Sequence, residues 1–328
     1  MSGSVVASNK SQALADTSLE ISVLGKWIKV PALEFSGDSL VVHGKLVKIA
    51  IVHDEEWLDH ELKNPELCVE RLKDYRSHRL RADILTFSQI PPHTDPKFPY
   101  HVERESVAVI QLASFTSWWE SLPQEARKNV RRAGKRGVRI AVKGLDDDLV
   151  KGIVGLNNET PVKQGRPNAH YGKSFDQVKK DQSAFPDRSD FICAYFGEEL
   201  IGHLKIVYRG ETASILQLTP SPGHQDKRPA NAMLSKAVEI CAEKGIRCIT
   251  YGKFNYGTRS NSSLLEFKVR NGFEELLMPR YYVPLTSWGR ISMCLNLHHG
   301  IQGIFPKFAL AAAINLRAKW YNKNVKPV

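Results

Sequence analysis

"FICAYFGEELIGHLKIVYRGETASILQLTP", residues 191–220, decides the fold. Three apolar runs of strand length are separated by "GEE" at 197–199 and "RGE" at 209–211. Short glycine-bearing breaks between such runs predict three antiparallel strands joined as a meander. The next segments are a loop, "SPGHQDKRP", and a helical stretch, "ANAMLSKAVEICAEKG" at 230–245. A strand, "IRCITYG", a helix near 261–271 and a last strand, "RYYVPL", follow. Strands and helices are therefore mixed, which makes the chain α/β (α+β). No GxGxxG follows the first strand, which disfavours a dinucleotide-binding fold.

Upstream, residues 1 to about 27 are small and polar and predict a flexible tail. "SLVVHGKLVKIAIV" predicts a hairpin turning at Gly44. "DEEWLDHELKNPELCVERLKDY" has helical spacing interrupted at Pro65, with Asp54 as a cap. "RADILTFSQI" and "YHVERESVAVIQL" predict strands. Ser114 caps a short helix, and Pro123 opens a second that stops at Gly137. The stretch "RKNVRRAGKRGVR", residues 127–139, runs through that helix and two residues past its end, with seven cations and no acid. Arg127, Arg131 and Lys135 recur four apart, beside Lys128, Arg132 and Arg136, so two neighbouring helical rows are cationic. The expected use of Arg127, Arg131, Arg132 and Lys135 is an anion-binding surface; the other reading is a solvated face. The net charge of +11 suits an anionic partner of the same kinds, nucleic acid, a phosphorylated ligand or an acidic membrane.

The five cysteines form no CxxC pair, so a reducing compartment with neither a disulfide frame nor a cysteine zinc site is expected. His298–His299 stands as a pair with no placed carboxylate, and no metal is expected. The N-terminal sequence lacks a signal-peptide pattern and no apolar run reaches a spanning length, so a cytoplasmic protein is expected. Residues 298–328 predict an amphipathic C-terminal helix ending in Trp320 and Tyr321 among cations. That ending suits peripheral contact with the inner face of an anionic membrane.

Five blocks together carry a resemblance: "SLPQEARKNVRRAGKRGV", "NETPVKQGRPNAHYGK", "ICAYFGEELIGHLKIVY", "PANAMLSKAVEICAEKGIRCITYG" and "LLEFKVRNGFEE". In this order, over roughly 105–290, the chain resembles the GNAT acyltransferase superfamily, and more closely its FemAB-like branch. The resemblance implies a mixed, mostly antiparallel sheet flanked by helices, with two GNAT-like halves in tandem. Residues 28–150 would be a degenerate first half and 151–297 the catalytic second half. It implies transfer of an acyl or aminoacyl group to an amine of a cell-envelope precursor or amino sugar. The donor would be acyl-CoA or aminoacyl-tRNA, with no tightly bound cofactor, and the acceptor a small-molecule or lipid-linked amine. The glycine-rich turn of acetyl-CoA binders is replaced here by "SPGHQDKRPANAM", which has one glycine, Gly223.

Amine acylation requires a proton acceptor, donors for the oxyanion and a proton for the leaving group. In the polar loop 157–178, Glu159 can take the amine proton, and His170 and Tyr171 can donate to the oxyanion or the leaving group. Arg166 and Lys173 flank them as grips for a phosphate or carboxylate. Gln217, Tyr251, Lys253, Asn255, Tyr256 and Lys268 lie at strand ends or beside them, as further substrate contacts. Arg228 and Asn231, at the start of a helix, are candidates for the donor phosphate. No serine or cysteine has an activating base nearby, so direct attack without a covalent enzyme intermediate is expected. Two other readings remain: a non-catalytic basic module binding nucleic acid or an anionic membrane, and an ordinary acetyl-CoA-dependent N-acetyltransferase.

Overall fold

The computed structural model describes residues 16–23, 26–35, 37–53, 61–74, 80–163, 166–255 and 263–300. Asp54, Tyr256 and the C-terminal helix expected over 298–328, from 301 onward, lie outside the described residues, as does the side chain of Arg166.

The first half contains strands β1 (Asp16–Val23), β2 (Lys26–Phe35), β3 (Asp38–His43) and β4 (Ile49–Val52). Helix α1 (Pro65–Asp74) follows, then β5 (Ile84–Ser88) and β6 (His101–Gln111). The second half starts with α2 (Phe115–Ser121), α3 (Gln124–Lys135), β7 (Val138–Lys143) and α4 (Asp147–Asn158). A two-rung hairpin, β8 (Val162–Lys163) and β9 (Arg166–Pro167), leads to α5 (Phe175–Gln182). The meander follows as β10 (Ser189–Phe196), β11 (Glu199–Arg209) and β12 (Thr212–Pro220). The chain continues through α6 (Pro229–Glu243), β13 (Cys248–Lys253), α7 (Ser263–Arg270), β14 (Glu274–Pro284) and α8 (Ser287–Cys294).

One twelve-stranded sheet has the order β1-β2-β3-β4-β5-β14-β6-β13-β12-β11-β10-β7. Only β4/β5 and β12/β13 pair in parallel. In each half an antiparallel meander is followed by a helix, α1 or α6, and then a strand parallel to the meander's last member. The strand that comes next is exchanged. β6 leaves β5 and pairs with β13, while β14 leaves β13 and pairs with β5. β14 and β6 then pair with each other from Glu274↔Val109 to Tyr282↔His101. The cores follow the exchange. Tyr281 of β14 packs with Leu40, Leu72 and Phe87 of the first half, and Ile110 of β6 packs with Ile249 and Leu234 of the second. Two GNAT-like halves are thus sewn together through their central strands.

Local sequence accounts for the helix ends. Ser114 and Ser117 form a reciprocal capping box on α2. Pro123 is the N-cap of α3 rather than its first residue, and Gly137 leaves the helix at φ +80°. Ala126 and Ala133 are buried on the face that meets α6, and Val130 is half-buried. A Cβ on Gly202 would come within 2.8 Å of Met233 Cε, so glycine lets α6 lie close on β11.

Three boundaries differ from the sequence reading. Residues 16–23, expected in a flexible tail, form β1, whose partners on β2 run from Asp16↔Leu33 to Val23↔Lys26. Pro65 begins α1 rather than interrupting a helix, because its fixed φ and missing N–H suit a first turn. α3 and β7, expected in the first half, pack on α6 and pair with β10, so they belong physically to the second.

Candidate active site

The sheet opens between β12 and β13. Their parallel pairing lasts three rungs: Thr212↔Cys248, Ala213↔Ile249 and Ser214↔Thr250. Past that point β12 stays with β11, and β13 leans to β6. On β12 the register shifts just past the fork. Lys205 faces Gln217 and Ile206 faces Ile215, so Leu216 is an extra residue in a bulge. A bulge takes a backbone unit out of the ladder and re-aims it. The sequence carried no signal for Leu216, since a bulge is a property of pairing rather than of residue type.

Separation leaves strand carbonyls to be satisfied. Lys268 does this on β13. Its Nζ donates to Tyr251 O at 2.6 Å and Lys253 O at 2.7 Å, and it lies 4.6 Å from the Tyr251 ring centroid. The side chain is fully buried, and burial pulls its ammonium down to about 8. Lys268 was expected to touch substrate; in the structure its ammonium is buried and committed to these two β13 carbonyls. Lys205, also buried, donates to Gln182 O and Ala184 O at 2.7 Å each, and burial pulls it down to about 8 as well. Gln182 Nε2 in turn donates to Gln217 Oε1 at 2.8 Å, so Gln217 is tied to the end of α5.

The polar loop comes to the far end of β12. Glu159 Oε2 accepts from Ser221 Oγ at 2.7 Å, one residue past the strand. Asn168 is buried and shapes the loop: Nδ2 donates to Asn157 O and Thr160 O at 3.0 Å each, and Oδ1 accepts from the His170 N–H at 3.2 Å. Tyr171 N–H closes a turn onto Asn168 O at 3.0 Å. Both His170 and Tyr171 are half-buried. Lys173 is not available as a substrate grip, because its Nζ lies 2.5 Å from Asp181 Oδ2 with both side chains largely buried. Trp27 Nε1 of β2 donates to the other oxygen of Asp181 at 2.8 Å, which brings the N-terminal hairpin onto α5.

α6 begins beside this end of the sheet. Its N-cap, Arg228, has φ +58° and makes no side-chain capping bond. The first N–H groups of a helix lack intrahelical partners, and here Ala230 and Asn231 supply them. A cavity of about 360 Å³ lies there, lined by residues of α3, α6 and α7 that include Asn129, Arg228, Asn231 and Arg270. Asn231 Nδ2 donates to Asn271 Oδ1 at 3.0 Å. The arrangement fits a phosphate group on Arg228 and the start of α6. It does not form a glycine cradle. The N–H groups of His224 and Arg228 are used inside the turn, on Ser221 O at 3.3 Å and Gln225 O at 3.1 Å. Glu159, His170 and Tyr171 do not line this cavity.

Lys253 pairs with Glu105 at 3.0 Å, and Arg280 reaches the same carboxylate at 2.8 Å. Burial pushes the Glu105 carboxyl up, but Arg280 and then Lys253 outweigh it and hold it below its ordinary value. Asn255 is exposed, and its N–H donates to Ser106 Oγ at 3.0 Å. On α3, Arg131 and Lys135 are exposed, Arg131 lying 5.7 Å from the Trp119 ring centroid. Arg132 meets Glu125 at 3.8 Å and Asn129 at 3.2 Å, and Arg127 is half-buried. The cationic surface is therefore narrower than the sequence suggested. Burial pushes the thiols of Cys68, Cys193 and Cys241 up to about 12 and that of Cys248 to about 11, which leaves them poor nucleophiles. The expectation that His298–His299 lacks a carboxylate is corrected: Glu103 meets both rings, having been brought there by β6.

The fork, the exchanged strands and the helix following β12 define a GNAT/FemAB-like fold. Solved structures agree. The crystal structure of FemX superposes with TM-score 0.52 at 10% identity, covering 84% of this chain and 89% of that one. A C-terminal domain described as that of a lysylphosphatidylglycerol synthetase from Agrobacterium fabrum gives 0.50 at 13% identity, covering 80% and 86%. A conserved protein of unknown function from Bacteroides thetaiotaomicron gives 0.52 at 10%, covering 78% and 86%. No family model matches the sequence, and no curated protein does either. Among the described residues no helix is long and apolar enough to cross a membrane.

Proposed function

We propose that this protein is an acyl- or aminoacyltransferase that moves an acyl group from a phosphate-bearing donor to an amine of a cell-envelope precursor, lipid or amino sugar. One observation carries the reading: the sheet forks between β12 and β13 with a bulge at Leu216, and the helix that follows β12 starts at Arg228 without a side-chain cap. A carbonyl in the fork would meet backbone N–H groups released from the ladder, as an oxyanion requires. The donor phosphate would rest on Arg228 and the start of α6. The fold is shared with FemX and with the domain described as a lysylphosphatidylglycerol synthetase, which supports a donor of acyl or aminoacyl type.

The amine nitrogen attacks the acyl carbon directly. An amide bond forms as the ester or thioester bond breaks; the amine gives up one proton, and the leaving alcohol or thiol gains one. Glu159 accepts the proton from the amine, with Ser221 fixing one of its oxygens. His170 and Tyr171, held on the same loop by Asn168, supply the proton donor. With the turn's N–H groups of His224 and Arg228 used internally and no glycine cradle formed, aminoacyl-tRNA, or an acyl-CoA held by one phosphate, is favoured over the wrapped pyrophosphate of ordinary acetyl-CoA binding. Exposed Arg131 and Lys135 on the neighbouring α3 extend the positive surface toward a polyanionic donor. Native mass spectrometry with acyl-CoA, charged tRNA and nucleotide-sugars offered in turn tests the reading. A retained complex with one acyl or aminoacyl donor is expected; retention of none of them would remove it.

A further inference from the structure

β6 presents His101, Glu103 and Glu105 at alternate positions, hence on one face of the strand. The two acids are treated differently. Glu105 is matched by Arg280 and Lys253. Glu103 meets no lysine or arginine among the described residues; its ion-pair partners are histidines. His298 Nε2 lies 2.8 Å from Glu103 Oε1, His299 Nε2 lies 2.9 Å from Oε2, and His101 Nε2 lies 3.7 Å from Oε1. The ligand atoms of Glu103, His298 and His299 all fall within 4.8 Å of one another. A chain with a net charge of +11 thus gathers imidazoles, not ammonium or guanidinium groups, around this one carboxylate.

The surroundings hold the donors in place. The His298 side chain is 2% exposed, and Tyr282 packs edge-on against it with ring centroids 4.8 Å apart. His299 sits beside it at 4.0 Å between centroids. Tyr282 is also the register partner of His101 on the central strand pair. The histidines 298 and 299 lie in a short 3-10 turn, Leu297–His299, that follows α8. The cluster therefore joins the chain beyond α8 to the central strands where the two halves are exchanged.

We propose that Glu103, His298 and His299 bind a divalent transition-metal cation of the zinc type, with exposed His101 turning in as the fourth ligand. Two imidazoles and a carboxylate form a known zinc donor set, and a third imidazole completes a tetrahedron. Ligand atoms about 2.1 Å from a tetrahedral zinc are roughly 3.4 Å from each other. Glu103 Oε1 lies 2.8 Å from His298 Nε2, 3.2 Å from His299 Nε2 and 3.7 Å from His101 Nε2, so one carboxylate oxygen is already close to that spacing from all three imidazoles. Each imidazole would meet the cation through Nε2, and the carboxylate supplies the negative charge. The cation would pin the chain beyond α8 to β6. The assignment does not depend on the transferase reading.

The test uses the full-length protein stripped with a chelator and titrated with Zn²⁺ by calorimetry and with Co²⁺ by visible absorption. One equivalent of Zn²⁺ bound, a higher melting temperature and the ligand-field bands of four-coordinate Co²⁺ are expected. His299→Gln, at a partly exposed position, and Glu103→Gln should each weaken binding by at least about tenfold and remove the melting shift. Cys294→Ser, on nearby α8, should leave both intact. Absence of Zn²⁺ binding, wild-type affinity in both ligand variants, or loss of the site in Cys294→Ser would overturn the assignment.

Discussion

The hydroxyls of Ser214 and Thr250 lie 2.6 Å apart, both buried, on the last rung that β12 and β13 share. Every strand position past them belongs to the fork. The bond is a polar rivet at the point where the sheet begins to part. Thr250→Val keeps the shape and removes the partner, leaving the Ser214 hydroxyl buried. Stability should fall by about 1–3 kcal/mol, read by urea denaturation. Adding Ser214→Ala should recover part of that loss. An unchanged midpoint in Thr250→Val would show that the rivet contributes nothing.

Lys268 makes stability depend on pH. Burial lowers its folded-state value to about 8 from an ordinary 10.5. Below pH 8 the lysine is charged in both states, so the full cost of burying the charge is present. Between pH 8 and 10.5 the unfolded chain holds the proton and the folded chain sheds it, so this term makes the protein more stable as pH rises. Lys205 acts with the same sign. Lys268→Met strands two buried carbonyls, at about 1–3 kcal/mol each, but also removes the cost of burying the charge, so the discriminating readout is the pH slope and not the stability at pH 7. The substitution should flatten the rise across that window. A slope as steep as the wild type's would remove Lys268 as its source.

How much of this was legible is clearest in the second half. The meander at 191–220 announced itself because apolar runs and glycine turns are local signals, and Gly197 and Gly210 do take positive φ. The Ser114 cap and the basic helix were legible for the same reason. The exchange of β6 and β14 was not, since it pairs segments more than 130 residues apart without any local mark. For the site, residue type pointed to Arg228 and Asn231, and both line the cavity. It misjudged Lys173 and Lys268, whose charges are used inside the fold, because a lysine's partner is set by tertiary placement. The Glu103 cluster was hidden likewise: its members are 195 and 196 residues apart.

Arg228 offers a way to separate binding from folding. At φ +58° an arginine is strained and a glycine is not. Arg228→Gly should therefore preserve or slightly raise the melting temperature while weakening donor binding by roughly tenfold, the worth of one charge-assisted phosphate contact. Equal affinity in the variant would take Arg228 out of the donor site.

The buried Lys173–Asp181 pair and Trp27 fasten the N-terminal hairpin to α5. Lys173→Met strands a buried carboxylate and should cost about 3–5 kcal/mol. Trp27→Phe loses one hydrogen bond but also leaves Asp181 paired to Lys173, so its cost should be nearer 1 kcal/mol. Equal losses from the two substitutions would contradict this ranking.

The most direct measurement of the central claim follows a labelled acyl group from donor to amine in a single turnover, in the wild type and in Arg228→Gly at sub-saturating donor. The expected result is label on the acceptor nitrogen, none on the protein at any time, and a slower rate in the variant. Label held covalently by the protein, or no transfer from any acyl-CoA or aminoacyl-tRNA, would contradict direct attack in the open fork of the sheet.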